Sequence, residues 1–159
     1  MATVRQKIAP HLWFDKEAVE AVEFYTSVFP DSRIKHMATL YETPTGTVVS
    51  LTFELCGQEF MAISAGPYFT FNEAVSFVVH CEDQAEVDYY WDKLTSNGGQ
   101  ESMCGWLKDK YGLSWQIVPV AMGEIMNAED PAAAARVTQA ILQMRKLDIA
   151  ALERARAGA

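Results

Sequence analysis

The sequence predicts an α+β fold in which two tandem βαβββ modules curl into one open barrel, followed by a C-terminal helical extension. Three observations support this fold class. Two segments carry an apolar stripe at i, i+3, i+4 and i+7, short strand-like runs surround both segments, and corresponding elements are offset by 66 residues. We therefore expect a barrel domain over residues 1–120, with module 1 at about 6–66 and module 2 at about 72–120, and an extension over 121–159.

The first module begins with an apolar run at 8–14 that predicts a strand. An amphipathic helix follows and ends near Phe29, because Pro30 cannot continue it. Its core-facing stripe consists of Ala18, Ala21, Val22 and Tyr25. Three runs rich in β-branched and aromatic residues, each bounded by turn residues, then predict strands at 34–41, 47–55 and 59–64.

The second module repeats this order. After a strand at 74–81, Asp83 with Glu86 three residues later predicts a capping box that starts a helix. The glycines in Asn97-Gly98-Gly99 end that helix. Its buried stripe consists of Val87, Tyr90, Trp91 and Leu94. Short strands follow at 100–103, 104–108 and 114–118.

The extension reads as helical. Pro131 suits the first turn of a helix, where its missing N–H costs nothing, and Asp148 can cap a final helix. Apolar stripes run along both helices, formed by Val137, Ala140, Ile141 and Met144 in one and by Ile149 and Leu152 in the other. These stripes need a partner surface, which is either the helices of the barrel or a second subunit.

Composition excludes several classes of function. The net charge of −8 over 159 residues argues against nucleic acid as a partner, because phosphate binding needs clustered Lys and Arg. No apolar run is long enough to cross a membrane, and the first residues lack the features of a signal peptide. Cys56, Cys81 and Cys104 are an odd set without close spacing, which suits reduced thiols. We expect a soluble cytoplasmic protein.

Three stretches carry a resemblance to a known family: PHLWFDKEAVEAVEFYTSVFPDSRI, CGWLKDKYGLSWQIVP and QMRKLDIAALERA. They resemble the PhnB-like family, often labelled 3-demethylubiquinone-9 3-methyltransferase-like, which is part of the vicinal oxygen chelate (glyoxalase-like) superfamily. The chain has no Gly-rich loop between a strand and a helix, followed by an acidic residue, that a nucleotide-like cofactor would use. Methyl transfer is therefore not expected.

The resemblance implies a set of positions for a divalent metal. In metal-binding members, His, Glu or Gln side chains on the first and last strands of each module point into the barrel. Here these positions fall on Pro10 (with His11 beside it), Ser76 and Gln116, and on the strand 59–64, where only Glu59 can ligate. Serine and glutamine bring no charge to a metal site, so we expect no cofactor, with a divalent metal as the alternative.

The candidate cavity residues are His11, Trp13, Ser76, Cys104, Trp106 and Gln116. Each has a structural alternative. Gln116 either recognises a carbonyl or hydroxyl of a ligand or satisfies a backbone group of the wall. His11 turns toward the helices if Pro10 faces the cavity, and would then be a packed, hydrogen-bonded histidine. No neighbour activates Cys104, and the tryptophans suit either the core or a flat ligand.

The resemblance, together with the apolar stripes of the tail, implies a homodimer that binds a small molecule in the barrel cavity. We expect no tightly bound metal and no nucleic-acid or membrane partners. Two alternatives stay open. One is a divalent-metal lyase, isomerase or dioxygenase that uses His11 and Gln116. The other is a non-catalytic interaction module in which aromatic side chains fill the cavity.

Overall fold

The computed structural model describes residues 6–127 and 130–159, and these divide into two compact units between Phe71 and Asn72. The predicted α+β class, with two βαβββ modules and a helical C-terminus, is confirmed. The helices of the extension belong to the second unit. None of the helices in these ranges is long and apolar enough to cross a membrane.

The two modules share one topology. In module 1, the elements are β1 (His11–Phe14), α1 (Ala18–Val28), β2 (Arg33–Thr43), β3 (Gly46–Leu55) and β4 (Gln58–Ser64). In module 2, they are β5 (Ser76–Cys81), α2 (Gln84–Thr95), β6 (Gln100–Glu101), β7 (Trp106–Lys108) and β8 (Ser114–Pro119). The sheet orders are β1-β4-β3-β2 and β5-β8-β7-β6, with the first strand parallel to the last and the other pairs antiparallel. The repeat of element order is therefore also a repeat of strand pairing.

One helix covers one face of each sheet. All four residues of the predicted α1 stripe are fully buried, and so are Val87 and Leu94 of the α2 stripe. Because side chains alternate along a strand, every second strand residue joins this core. In β1 these are Leu12 and Phe14, and in β8 they include Trp115 and Ile117. The opposite face of each sheet carries the remaining side chains and is called here the open face of the module.

The two helices begin with different caps. Asp83 Oδ1 accepts a hydrogen bond from the Glu86 backbone N–H at 2.9 Å, as predicted. The Glu86 carboxylate bonds the N–H of Glu82 at 2.7 Å, one residue before the position of a standard capping box. Helix α1 has no side-chain cap of its own, and the Ser64 hydroxyl at the end of β4 accepts from the Ala18 N–H at 2.9 Å. This second cap depends on tertiary structure.

The extension contains α3 (Met122–Met126), α4 (Pro131–Leu142) and α5 (Ile149–Ala157). Asp130 and Asp148 cap α4 and α5, and the Asp148 cap was predicted. The apolar stripes pack on one another in a core of Ile125, Val137, Leu147 and Leu152. A partner subunit is therefore not needed to cover these four residues.

Tail residues 144–149 are tied to module 2. Backbone N–H groups of Cys104 and Gly105 donate to the carbonyls of Met144 and Arg145, each at 2.8 Å. The Gln84 side chain bonds the Leu147 carbonyl and the Ile149 N–H at 3.1 and 2.9 Å. The strand predicted at 104–108 is shorter than expected, because Cys104 and Gly105 adopt positive φ angles of 62° and 83° and leave the extended conformation.

Gly105 is required at this junction. A Cβ atom there would lie 3.0 Å from the Ile117 carbonyl oxygen and 3.1 Å from Leu147. We expect Gly105→Ala to lower the free energy of unfolding by about 2–4 kcal/mol, because the positive φ and the steric conflict add. Urea denaturation followed by tryptophan fluorescence measures this loss.

Gly112→Ala is the matched control, since Gly112 has a φ of +84° but a Cβ atom added there would meet nothing within 4 Å. It should lower the free energy of unfolding by only about 1–2 kcal/mol, which is the strain of the backbone conformation alone. Equal losses in the two variants would show that close packing at Gly105 contributes nothing.

Candidate functional site

The open face of module 2 brings three of the candidate residues together. Trp106 lies directly opposite Gln116 in the β7–β8 pairing, and Val78, two residues after Ser76, is the partner of Gln116 in the β5–β8 pairing. Gln116 Nε2 donates a hydrogen bond to Ser76 Oγ at 2.9 Å. All three candidate side chains are half-buried. An amide, a hydroxyl and an indole therefore share one surface.

This hydrogen bond gives Gln116 a partner in a neighbouring strand. The structural alternative considered from the sequence was that Gln116 satisfies a backbone group of the wall. Here its amide N–H bonds a side chain instead. Because a hydroxyl both donates and accepts, Ser76 can still donate its own proton to a bound molecule. The pair is uncharged and suits recognition of carbonyl or hydroxyl groups.

The β7–β8 turn positions this surface through Asp109, a carboxylate that is only 2% exposed. Its Oδ1 accepts from the backbone N–H groups of Tyr111 and Leu113 at 2.9 and 3.1 Å. Its Oδ2 accepts from the indole N–H of Trp115 at 2.9 Å. From the sequence, Asp109 was not expected to take part in the site. The available signal was the tendency of aspartate carboxylates in turns to accept hydrogen bonds from backbone N–H groups a few residues later in the chain.

Cys104 lies apart from the sheet surface, in the turn before β7, and its backbone N–H is bonded to the tail. Cys81 is buried at the end of β5, and burial, with Glu86 and Asp83 nearby, raises the pKa of its thiol to about 12. Cys56 is exposed in the turn between β3 and β4. Nothing in this arrangement activates Cys81 as a nucleophile.

In module 1, His11 and Trp13 lie on the open face, since Leu12 and Phe14 occupy the side under α1. His11 is exposed, so the interpretation that it packs against the helices is wrong. Trp13 is engaged within its own module: its indole N–H donates to the Gly66 carbonyl at 2.9 Å, and its ring meets Phe69 edge-on with centroids 4.9 Å apart.

A pocket of about 450 Å³ in module 1 lies near the start of α1, between Lys16, Val49 and Pro67. It includes neither His11 nor Trp13. Ser64, which also lines this pocket, already accepts the first N–H of the helix. This pocket therefore does not join the candidate residues of module 1.

The positions matched to metal ligands do not fit a divalent ion. Ser76 and Gln116 are neutral and bond each other, and Pro10 has no side-chain donor. The Glu59 carboxylate pairs with Lys35 Nζ at 2.9 Å, a contact that raises the pKa of Lys35 above its usual value. Within residues 6–127 and 130–159, no three His, Cys, Asp or Glu side chains are grouped to hold a metal. Without a carboxylate or imidazole cluster, there is little to offset the dehydration of the ion.

Comparison with known proteins identifies the family. The sequence model of the family described as 3-demethylubiquinone-9 3-methyltransferase matches residues 6–118. The chain belongs to this family. The predicted resemblance to PhnB-like proteins is confirmed over this range, while the tail stretch QMRKLDIAALERA lies beyond the matched residues.

Solved structures support the same conclusion for the 3-demethylubiquinone-9 3-methyltransferase family. A putative 3-demethylubiquinone-9 3-methyltransferase, PhnB protein, from Bacillus cereus is 38% identical, with a TM-score of 0.66, and the match covers 72% of this chain and 100% of that one. Protein PA1353 from Pseudomonas aeruginosa is 18% identical over 72% and 97% of the two chains, with a TM-score of 0.61, a likeness that concerns the fold alone. No curated protein matches the chain.

The fosfomycin resistance protein FosX from Listeria monocytogenes, in complex with Mn(II), is 11% identical over 73% of this chain and 93% of that one, with a TM-score of 0.54. At this identity the likeness concerns the fold alone. The glyoxalase-like fold that the sequence predicts is confirmed by these structures.

The Asp109 contacts predict a stability effect. Asp109→Asn replaces one acceptor oxygen by an NH₂ group that faces N–H donors, so we expect a loss of about 1–3 kcal/mol in unfolding free energy. Chemical denaturation measures it. Trp115→Phe removes the indole donor, and in the Asp109→Asn background it should cost less than in the wild type. Additive losses would contradict the coupling.

Thiol chemistry tests the placement of the cysteines. At pH 8 a thiol with a pKa of about 12 is almost entirely protonated, so native protein should not be alkylated by iodoacetamide at Cys81, whereas exposed Cys56 reacts. Peptide mass spectrometry after timed labelling measures both sites, with urea-unfolded protein as the control. Labelling of Cys81 as fast as Cys56 in the native protein would contradict its burial.

Proposed function

We propose that this chain binds a small polar molecule through the open face of module 2, without a tightly held divalent metal. The observation that carries the proposal is the Gln116–Ser76 hydrogen bond beside Trp106. Neutral donors and acceptors next to a flat indole are typical of a site that recognises a ligand by hydrogen bonds and shape. The homodimer and the cytoplasmic location stay predictions.

Metal-dependent chemistry is not extended to this chain. The Mn(II) complex belongs to FosX, which shares the fold at 11% identity, and the ligand positions here are neutral or paired elsewhere. The family description names a methyltransferase. The two strand-to-helix turns, Asp15-Lys16-Glu17 and Glu82-Asp83, contain no glycine to let a backbone approach a nucleotide-like cofactor closely.

The ligand part of the proposal is tested with a library of polar fragments by protein-observed NMR. We expect some fragments to shift the NMR signals of the Gln116 side-chain amide. Their affinity should fall about 3–10-fold in Ser76→Ala and in Gln116→Leu, because each variant removes one hydrogen bond. Gln58→Leu, which changes an exposed glutamine in module 1, is the matched control. Hits that bind all four proteins equally would refute the site.

The metal part is tested on untagged protein by elemental analysis and by thermal shift with Mn²⁺, Ni²⁺ and Zn²⁺. We expect well under one metal per chain and no stabilisation by any ion, because the donor set adds no charge to offset ion dehydration. One metal per chain that disappears in Gln116→Leu would support the metal-enzyme alternative instead.

A further inference from the structure

A pocket beside the candidate residues of module 2 contains a buried hydroxyl group without a partner. The pocket has a volume of about 150 Å³, and its lining includes Ser102, Ser114 and Trp106 together with the charged residues Glu73, Glu101 and Lys108. Ser114 is 1% exposed, and its Oγ makes no hydrogen bond within the described part of the chain. Buried hydroxyl groups are nearly always hydrogen-bonded in folded proteins. The Ser114 hydroxyl group therefore needs a hydrogen-bond partner from outside the chain.

The strand pairing directs the Ser114 side chain toward the pocket. Ser114 is opposite Lys108 in the β7–β8 register and opposite Ser76 in the β5–β8 register. Paired residues share a face, so these three side chains lie on the open face with Trp106. The next residue in β8, Trp115, faces the other way and is buried under α2.

The charges around the pocket are already compensated. Lys108 forms an ion pair with Glu73, and that hydrogen bond lowers the pKa of the Glu73 carboxyl below its usual value. Glu101 accepts from the Trp91 indole N–H at 2.8 Å and lies 3.5 Å from an Arg145 nitrogen. A charged ligand would therefore compete with existing pairs, whereas a neutral one would not.

We propose that this pocket takes a small uncharged molecule that combines a flat apolar ring with a hydroxyl or carbonyl group bonded to Ser114 Oγ. The inference rests on the binding face proposed above, with which the pocket shares Trp106, although the pocket lining includes neither Gln116 nor Ser76. A cavity of about 150 Å³ is large enough for a molecule of the size of benzene. Trp106 supplies a flat surface for the ring, and Ser114 supplies the polar contact.

The first test uses ligand-free protein. Because an unpaired buried hydroxyl destabilises the free fold, Ser114→Ala should raise the melting temperature by about 2–4 °C. Ser102→Ala removes an exposed hydroxyl from the same pocket and should leave it unchanged. A lower melting temperature for Ser114→Ala would overturn the inference, since the hydroxyl would then be satisfied in the free protein, for example by a bound water.

The second test titrates the full chain with phenol, toluene and benzoate, followed by NMR signals of the Trp106 indole N–H and the Ser114 backbone N–H. We expect phenol to bind more tightly than the other two, and Ser114→Ala to weaken phenol about 3–10-fold without affecting toluene. Equal phenol affinity in wild type and Ser114→Ala overturns the inference. Tighter binding of benzoate overturns the uncharged class.

The outcomes separate this inference from the proposed function. If phenol fails to bind but fragments still move the Gln116 side-chain signals and lose affinity in Gln116→Leu, the ligand class is wrong and the binding face stands. If neither phenol nor any fragment perturbs the open face of module 2, both proposals fail.

Discussion

The turn held by Asp109 fixes the geometry on which the candidate site depends. With one carboxylate bonded to two backbone N–H groups and an indole, the β7–β8 hairpin has one register. That register places Trp106 opposite Gln116 and Lys108 opposite Ser114. A slip by one residue would turn every one of these side chains to the other face of the sheet. The buried carboxylate is thus part of the framework that positions the candidate binding surface.

Helix α2 covers only one face of the sheet of module 2, and the other face carries polar side chains. The same strands that bury Trp115 and Ile117 beneath α2 present Ser76, Ser114 and Gln116 on the other side. The groups clustered around Gln116 on this face are neutral: an amide, hydroxyls and an indole, beside an ion pair between Lys108 and Glu73. Such a face can select a ligand by hydrogen-bond pattern and shape, whereas a charged cluster would select by charge.

Sequence reasoning predicted what local chemistry determines. Both helix stripes, the Asp83 and Asp148 caps and the order of helices and strands along the two modules were predicted, because period, capping and turn residues act within a few positions. The errors concern tertiary contacts. The orientation of His11, for example, depends on which face α1 covers. The helix α3 was missed for a local reason instead, since it has too few residues for a recognisable period. In the site, Ser76 and Gln116 were candidates because the family resemblance places ligand positions there, and Trp106 was a candidate for its flat side chain. The pairing of Asp109 with Trp115 is not visible in spacing alone.

The tail contributes to the same hairpin from outside residues 6–118, which the family model matches. Cys104 and Gly105 leave the strand conformation where their N–H groups meet the Met144 and Arg145 carbonyls, and β7 begins directly after them. The point at which Trp106 enters the sheet is therefore set partly by residues beyond 118, where the family match ends. Since backbone bonds and a close glycine contact are stiff constraints, a relative without this tail can keep the fold and still present a different surface at Trp106. Membership of the family alone therefore predicts less about the ligand than the presence of this contact between the tail and the start of β7.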